Sequence, residues 1–190
     1  MSKQKLFLDF DGCICNSIKS FCLVYNFLYQ DHPDFKPAKW MYVEMWNFAD
    51  QCNLLNGEKD KVHDIFEHNL LFKNLEFMDD YTEEVIKKLC EKYMVIVASL
   101  GTPLNVAKKS IWLRDNLPCI KDYVLLVNEG NKMCKEVVNM EGAIFLEDVT
   151  NNLDSSNAKH KIIFGDYYEW NKDSSYERCA NWTDVGKLLL

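Results

Sequence analysis

No stretch of the 190-residue chain approaches the roughly 18 consecutive apolar residues that a membrane-spanning helix needs. Near its start a charge arrives after only three apolar residues, Leu6-Phe7-Leu8 followed by Asp9, too soon for a signal-peptide core. An excess of positive charge is also missing: 22 Lys and Arg stand against 29 Asp and Glu, for a net charge of −7. Broad binding to a nucleic-acid polymer or an anionic membrane, which needs a basic face, is thereby disfavoured. A small anionic ligand is not, because a few local cations and a metal can hold one. Cysteine is present without a pattern. The eight cysteines (13, 15, 22, 52, 90, 119, 134 and 179) form no Cys-x-x-Cys pair, and the four histidines (32, 63, 68 and 160) lack partner spacing, so no zinc site is indicated. Reduced thiols in a cytoplasmic setting are expected, several serving as small core residues. In that setting the sequon Asn181-Trp182-Thr183 carries no glycan.

With 48% apolar and 27% charged residues, the composition is globular, and no repeats or low-complexity tracts occur. At about 150 residues per domain, the length predicts one domain with a sizeable insertion. Short apolar runs cover Lys5 to Leu8, Tyr93 to Ala98, Tyr123 to Val127, Ala143 to Leu146 and Lys161 to Phe164. Each is bounded by turn residues and shows no polar alternation, the pattern of parallel strands buried on both faces. Between them, Thr82 can cap a helix carrying Val85, Ile86, Leu89 and Cys90 along one stripe. Thr102-Pro103 pairs a cap with a proline at the first helical position, and Trp182-Thr183-Asp184 opens a last short helix through Leu188. This alternation predicts an α/β parallel sheet with helices on both faces.

One interval breaks the rhythm. The chain between the first and second strands is far longer than an ordinary crossover. Ile18, Phe21, Val24, Phe27 and Leu28 recur at helical spacing in Asn16 to Leu28, as do Val62, Ile65, Phe66 and Leu70 in Lys61 to Leu71. An aromatic segment with Phe35, Trp40, Tyr42, Trp46 and Phe48 lies between them. A small helical insertion standing over one end of the sheet is expected.

Open α/β sheets bind ligands beyond the carboxyl ends of their strands. There the sequence offers Asp9 and Asp11 after the first strand, Ser99 after the second, and Glu147 with Asp148 after the fourth. Carboxylates, a hydroxyl and a lysine gathered at one edge make a phosphate site with a divalent cation. Hard oxygen ligands suit Mg²⁺, which takes one or two carboxylates, substrate phosphate and retained waters.

Three segments carry a resemblance. Leu6-Phe7-Leu8-Asp9-Phe10-Asp11-Gly12 resembles motif I of the haloacid dehalogenase-like (HAD) phosphatases. Val95-Ile96-Val97-Ala98-Ser99 resembles motif II, and Ala143-Ile144-Phe145-Leu146-Glu147-Asp148 with Asn151 and Asn152 resembles motif IV. The motifs come in the family's order. The resemblance implies a HAD-like Rossmannoid fold with a helical cap inserted after the first strand: residues 1–16 and 78–190 as core, 17–77 as cap. It also implies Asp9 as the nucleophile that forms an aspartyl-phosphate, and Asp11 as the acid and base for leaving group and water. Gly12, Ser99 and a lysine would bind phosphate. Asp9, Asp148 and the main-chain carbonyl of Asp11 would hold Mg²⁺, supported by Glu147. The second Asp favours phosphoryl transfer over dehalogenation. For the lysine, the resemblance to the family's nucleotidase branch implies one placed shortly before motif IV, which favours Lys132, then Lys135, with Lys108 and Lys109 in the helix after Ser99 as further candidates.

Within the superfamily, the sequence is most similar to the 5'(3')-deoxyribonucleotidases. Asn69 to Glu76 resembles the segment returning from their cap, and Lys109-x-x-Trp112 resembles a Lys-x-x-Trp after motif II. Leu100 and Gly101 replace a Ser-Pro pair there, and Glu147 replaces the first Asp of Asp-Asp. The resemblance implies a Mg²⁺-dependent phosphomonoesterase on deoxyribonucleoside 5'-monophosphates, as a monomer or homodimer. Aromatic rings stack on any nucleobase, making Phe21, Trp40, Trp46, Phe48 and Phe72 candidates to line the pocket, though a small bundle also needs such side chains for its own core. A phosphatase for sugar phosphates or other small metabolites, a phosphotransferase, and a HAD-like binding protein without turnover remain alternatives.

Overall fold

The computed structural model describes residues 3–42, 48–128, 135–165 and 168–190. Its centre is a sheet of six strands in the order β3-β2-β1-β4-β5-β6. They are β1 (Lys5–Leu8), β2 (Met94–Gly101), β3 (Asp122–Val127), β4 (Ile144–Glu147), β5 (His160–Phe164) and β6 (Glu177–Cys179). Every pairing is parallel, with Phe7 beside Ile96 on one side and Phe145 on the other. Side chains alternate across the pleat and build two cores. Leu6, Leu8, Val95, Val97, Ile144, Leu146, Ile162 and Phe164 face one; Phe7, Ile96, Ala98, Phe145 and Ile163 face the other. Two-sided burial is why these strands read as unbroken apolar runs.

Helices cover both faces, as expected. They are α1 (Ser17–Tyr29), α2 (Lys59–Glu67), α3 (Asn69–Lys73), α4 (Thr82–Lys92), α5 (Pro103–Asn116), α6 (Thr150–Ser155) and α7 (Trp182–Leu189). The first core takes Val85, Ile86 and Leu89 of α4 and Trp182, Val185 and Leu189 of α7; the second takes Leu153 of α6.

Several boundaries differ from the sequence reading. The second strand continues through Ser99, which pairs with Leu125 inside the sheet instead of following the strand. The helix expected from Lys61 to Leu71 is broken at His68, whose extended backbone (ψ 138°) ends α2 while its Nδ1 accepts the Leu70 N–H of α3 at 3.1 Å. Thr82 is the first residue of α4 and not its cap. Its hydroxyl accepts the Asp79 N–H at 3.0 Å and donates to Asp79 Oδ1 at 3.1 Å, closing the preceding turn. Thr102 does cap α5, accepting the Asn105 N–H at 3.3 Å. The sixth strand had no apolar run to announce it: of Glu177, Arg178 and Cys179 only the cysteine is buried.

The interval between β1 and β2 holds α1, α2 and α3 ahead of α4, as the interrupted rhythm required. Polar contacts tie this interval to α5, which begins just beyond the carboxyl end of β2. The Asn105 side-chain amide donates to the Phe66 carbonyl at 2.8 Å, and the Thr102 hydroxyl donates to Glu67. Lys108 donates to the Glu67 carbonyl and, at 2.7 Å, to Asn69 Oδ1. The inserted helices therefore stand at the carboxyl edge of the sheet.

Candidate active site

At that edge Asp9 leaves β1, with its N–H donated to the Leu146 carbonyl of β4 at 3.0 Å. This cross-strand bond sets the Asp9 side chain next to the end of β4, where Glu147 is the last strand residue and Asp148 follows. All three acids are buried, and Lys135 is buried with them. The Lys135 ammonium bridges Asp9 and Glu147, 2.5 Å from a carboxylate oxygen of each. Burial, then the neighbouring Glu147 charge, pushes the Asp9 carboxyl up to about 7. The same two causes hold Asp148 well above the usual carboxylate range. Burial works against the Lys135 charge, but Asp9 and Glu147 outweigh it and keep the ammonium above the usual lysine range.

Asp11 stands apart from this cluster. Its carboxylate accepts the Ser17 hydroxyl at 2.5 Å on Oδ1 and the Lys109 ammonium on Oδ2, and it remains partly exposed. Lys109 is buried, and also donates to Ser99 Oγ at 3.0 Å and to the Leu100 carbonyl at 2.8 Å. Two buried lysines thus serve three carboxylates: Lys135 at Asp9 and Glu147, Lys109 at Asp11. A sequence signal for Lys109 existed. It shares one face of α5 with the buried Val106, Trp112 and Leu113, so a lysine was embedded in an apolar stripe.

Gly12 has a structural task. Its φ is +72°, and a Cβ there would stand 2.5 Å from Asp148 Oδ2. Only glycine permits both the left-handed turn and the close approach of Asp148. The Gly12 N–H is donated to the Cys15 carbonyl at 2.9 Å, an internal bond, whereas phosphate binding was expected of this residue.

The other candidates scatter. Lys132, the first choice among the lysines, lies outside the described residues, as does Trp46. Lys108 points to the inserted helices, as described above. Phe21 is fully buried against Phe66, with ring centroids 5.0 Å apart, so its ring is enclosed in the core. Phe72 is half-buried against the same core, and Phe48 begins a short 3₁₀ turn, Phe48–Gln51. Trp40 is exposed, with the Lys19 ammonium 5.7 Å from its ring centroid.

A cation fits the donor set. Asp9, Cys13 and Asp148 each present a ligand atom, all within 4.8 Å of one another. Burial and the adjacent acids hold the Cys13 thiol well above its ordinary range, leaving the carboxylate oxygens as the hard donors. Were Asp9, Glu147 and Asp148 all ionised, the Lys135 ammonium alone would leave an excess of negative charge, which together with burial is what raises the Asp9 and Asp148 carboxyls. A divalent cation with oxygen preference matches both the excess and the donor chemistry.

The profile of a protein family described as 5' nucleotidase, deoxy (pyrimidine), cytosolic type C, matches residues 3–190. The chain belongs to that family. As a member of the deoxy 5'-nucleotidase family, it is a hydrolase of phosphoric monoesters, and its substrate is a small phosphate ester. No curated protein sequence matches it. Among solved structures, the chain is similar to a predicted phosphatase from Clostridium acetobutylicum, with 13% identity, a TM-score of 0.70, and 99% of this chain and 98% of that one covered. It is also similar to a protein from Bacillus subtilis described as a HAD-hydrolase and bound to magnesium (14% identity, TM-score 0.67, 100% and 99% covered). A haloacid dehalogenase-like hydrolase from Streptococcus pneumoniae resembles it too, at 10% identity and a TM-score of 0.64, with 99% of each chain covered. These likenesses establish the HAD fold. No helix among the described residues is long and apolar enough to cross a membrane.

Proposed function

We propose that this nucleotidase is a Mg²⁺-dependent phosphomonoesterase that hydrolyses deoxyribonucleoside 5'-monophosphates through a phosphorylated Asp9. The arrangement of Asp9 carries the reading. Its carboxylate is buried, paired with Lys135 at 2.5 Å, and close to Asp148, while Asp11 is held separately by Ser17 and Lys109. Two aspartates two residues apart are thereby given different surroundings and different tasks.

The substrate phosphoryl group sits against Asp9. Ser99, whose oxygen already accepts from Lys109, has its hydroxyl proton to donate to a phosphate oxygen. Lys135 supplies the cationic contact from the other side, the role for which the family resemblance preferred Lys132. An Asp9 oxygen attacks phosphorus, the ester P–O bond breaks, and Asp11 in its acid form gives its proton to the departing oxygen. Asp11, now a carboxylate, takes a proton from water as that water attacks phosphorus. The bond from phosphorus to Asp9 breaks and inorganic phosphate leaves. Mg²⁺, held by Asp9, Asp148 and the Asp11 main-chain carbonyl, would neutralise charge on the transferring phosphoryl.

Residues 17–77 act as a cap over residues 1–16 and 78–190, a division supported by the contacts of Phe66, Glu67 and Asn69 with α5. Trp40, exposed in the inserted interval, is the ring best presented for a base. A cytoplasmic setting agrees with the family description and with the seven described cysteines, all free thiols.

Phosphate release from a panel of nucleoside monophosphates, sugar phosphates and p-nitrophenyl phosphate, with Mg²⁺ and with chelator, tests the proposal. Metal-dependent activity concentrated on deoxyribonucleoside monophosphates is the expected result. Activity on sugar phosphates alone would retain the chemistry and discard the nucleotide; chelator-resistant activity would discard the cation.

A further inference from the structure

Asp148 is braced by a segment that the proposed reaction does not use. Beyond β5, the indole N–H of Trp170 donates to Asp148 Oδ2 at 3.2 Å. The Trp170 ring lies flat on Tyr168, with centroids 4.6 Å apart and planes inclined by 4°. Such stacking restricts rotation of the indole and so fixes the direction of its N–H. The next residue, Asn171, is buried and donates its side-chain amide to the Asp148 carbonyl at 3.1 Å and to the Phe164 carbonyl at 3.4 Å. Asn171 is clamped in turn by Arg178 of β6. That guanidinium donates to the Asn171 carbonyl at 2.7 Å, to its Oδ1 at 3.3 Å and to the Gly165 carbonyl at 3.0 Å. The main chain and the carboxylate of Asp148 are therefore held by two consecutive residues, on a loop whose end is tied to the sheet. Gly12, where a Cβ would stand 2.5 Å away, leaves room for the same Oδ2.

We propose that Trp170 is a positioning residue for the cation site, fixing the Asp148 carboxylate in the orientation that receives a divalent ion. Hydrogen-bond donors behind metal ligands set ligand orientation, and their loss typically costs about 10–100-fold in metal affinity. The proposal rests on the reading of Asp9 and Asp148 as the Mg²⁺ ligands.

Calorimetric titration with Mg²⁺ of the wild-type protein, Trp170→Phe and Asp148→Asn tests it. Phenylalanine keeps a ring on Tyr168 and removes the N–H. We expect Asp148→Asn to abolish binding, and Trp170→Phe to weaken it by about tenfold. The metal-free melting temperature of Trp170→Phe should move by less than about 3 °C. In turnover, its Mg²⁺ half-saturation should rise by the same factor while kcat at saturating Mg²⁺ is retained. Should that variant not fold, benzothienylalanine at position 170, which exchanges only the N–H for sulfur, makes the same comparison. Binding by Trp170→Phe as tight as wild type overturns the positioning role and leaves the cation site standing. A wild-type protein that binds no Mg²⁺, or whose binding survives Asp148→Asn, overturns both.

Discussion

Asp9 ionises near 7 because it is buried beside Glu147, and this has a measurable consequence. Its folded value lies above the ordinary 3.8, so between 3.8 and about 7 the folded chain binds more protons than the unfolded one. Stability of the metal-free protein therefore falls as pH rises through that window. Mg²⁺ at the proposed site would bind the ionised carboxylate and work in the opposite direction. Thermal melts should show that Mg²⁺ stabilises much more at pH 8 than at pH 5, and the pH midpoint of activity should fall as Mg²⁺ is raised. A stabilisation independent of pH would contradict the placement of the cation at Asp9. Lys135 offers a second test at this scale. Its replacement by methionine leaves two buried acids without their cation, a loss of about 3–5 kcal/mol in chemical denaturation at pH 8. The loss should shrink at pH 5, where Asp9 is protonated, and phosphatase activity should be lost at both. The acids themselves were readable as turn-adjacent residues after apolar runs. The burial of Lys135 was not, because a stretch without periodicity gives no direction for a side chain.

Among the elements, α5 connects the chemistry to the inserted helices. Lys109 on its buried face holds Asp11 and Ser99, while Thr102, Asn105 and Lys108 hold the end of α2 and the start of α3. Thr102 both caps α5 and donates to Glu67. Thr102→Ala should cost about 1 kcal/mol for the cap, measured by urea denaturation, and should raise KM more than it lowers kcat if the insertion closes over substrate. An equal effect on both would separate the insertion from substrate binding. Strands buried on both faces were legible because each needs apolar residues at every position. β6 was not, since an edge strand buries only Cys179. The loop carrying Trp170 and Asn171 was equally silent. Its polar residues look like any surface turn until Arg178, seven residues later in the chain, is seen to fold back on it.

For the molecule as a whole, the parallel sheet puts the ends of β1, β2 and β4 side by side and brings together acids from distant parts of the sequence. Order of motifs along the chain predicted that convergence, since parallel strands end on one edge. What the order did not carry was charge balance: three buried carboxylates against Lys135, with a second lysine reserved for Asp11. That balance supports the proposal that Asp9 attacks phosphorus while Asp11 transfers the proton. Substrate mixed with enzyme and Mg²⁺, quenched within a turnover and reduced with borohydride, converts an aspartyl-phosphate to homoserine that peptide mass spectrometry can locate. Homoserine at position 9 alone, absent with chelator and absent in Asp9→Asn, is the predicted result. Steady phosphate release with no reduced residue at position 9, or with turnover surviving Asp9→Asn, would contradict it.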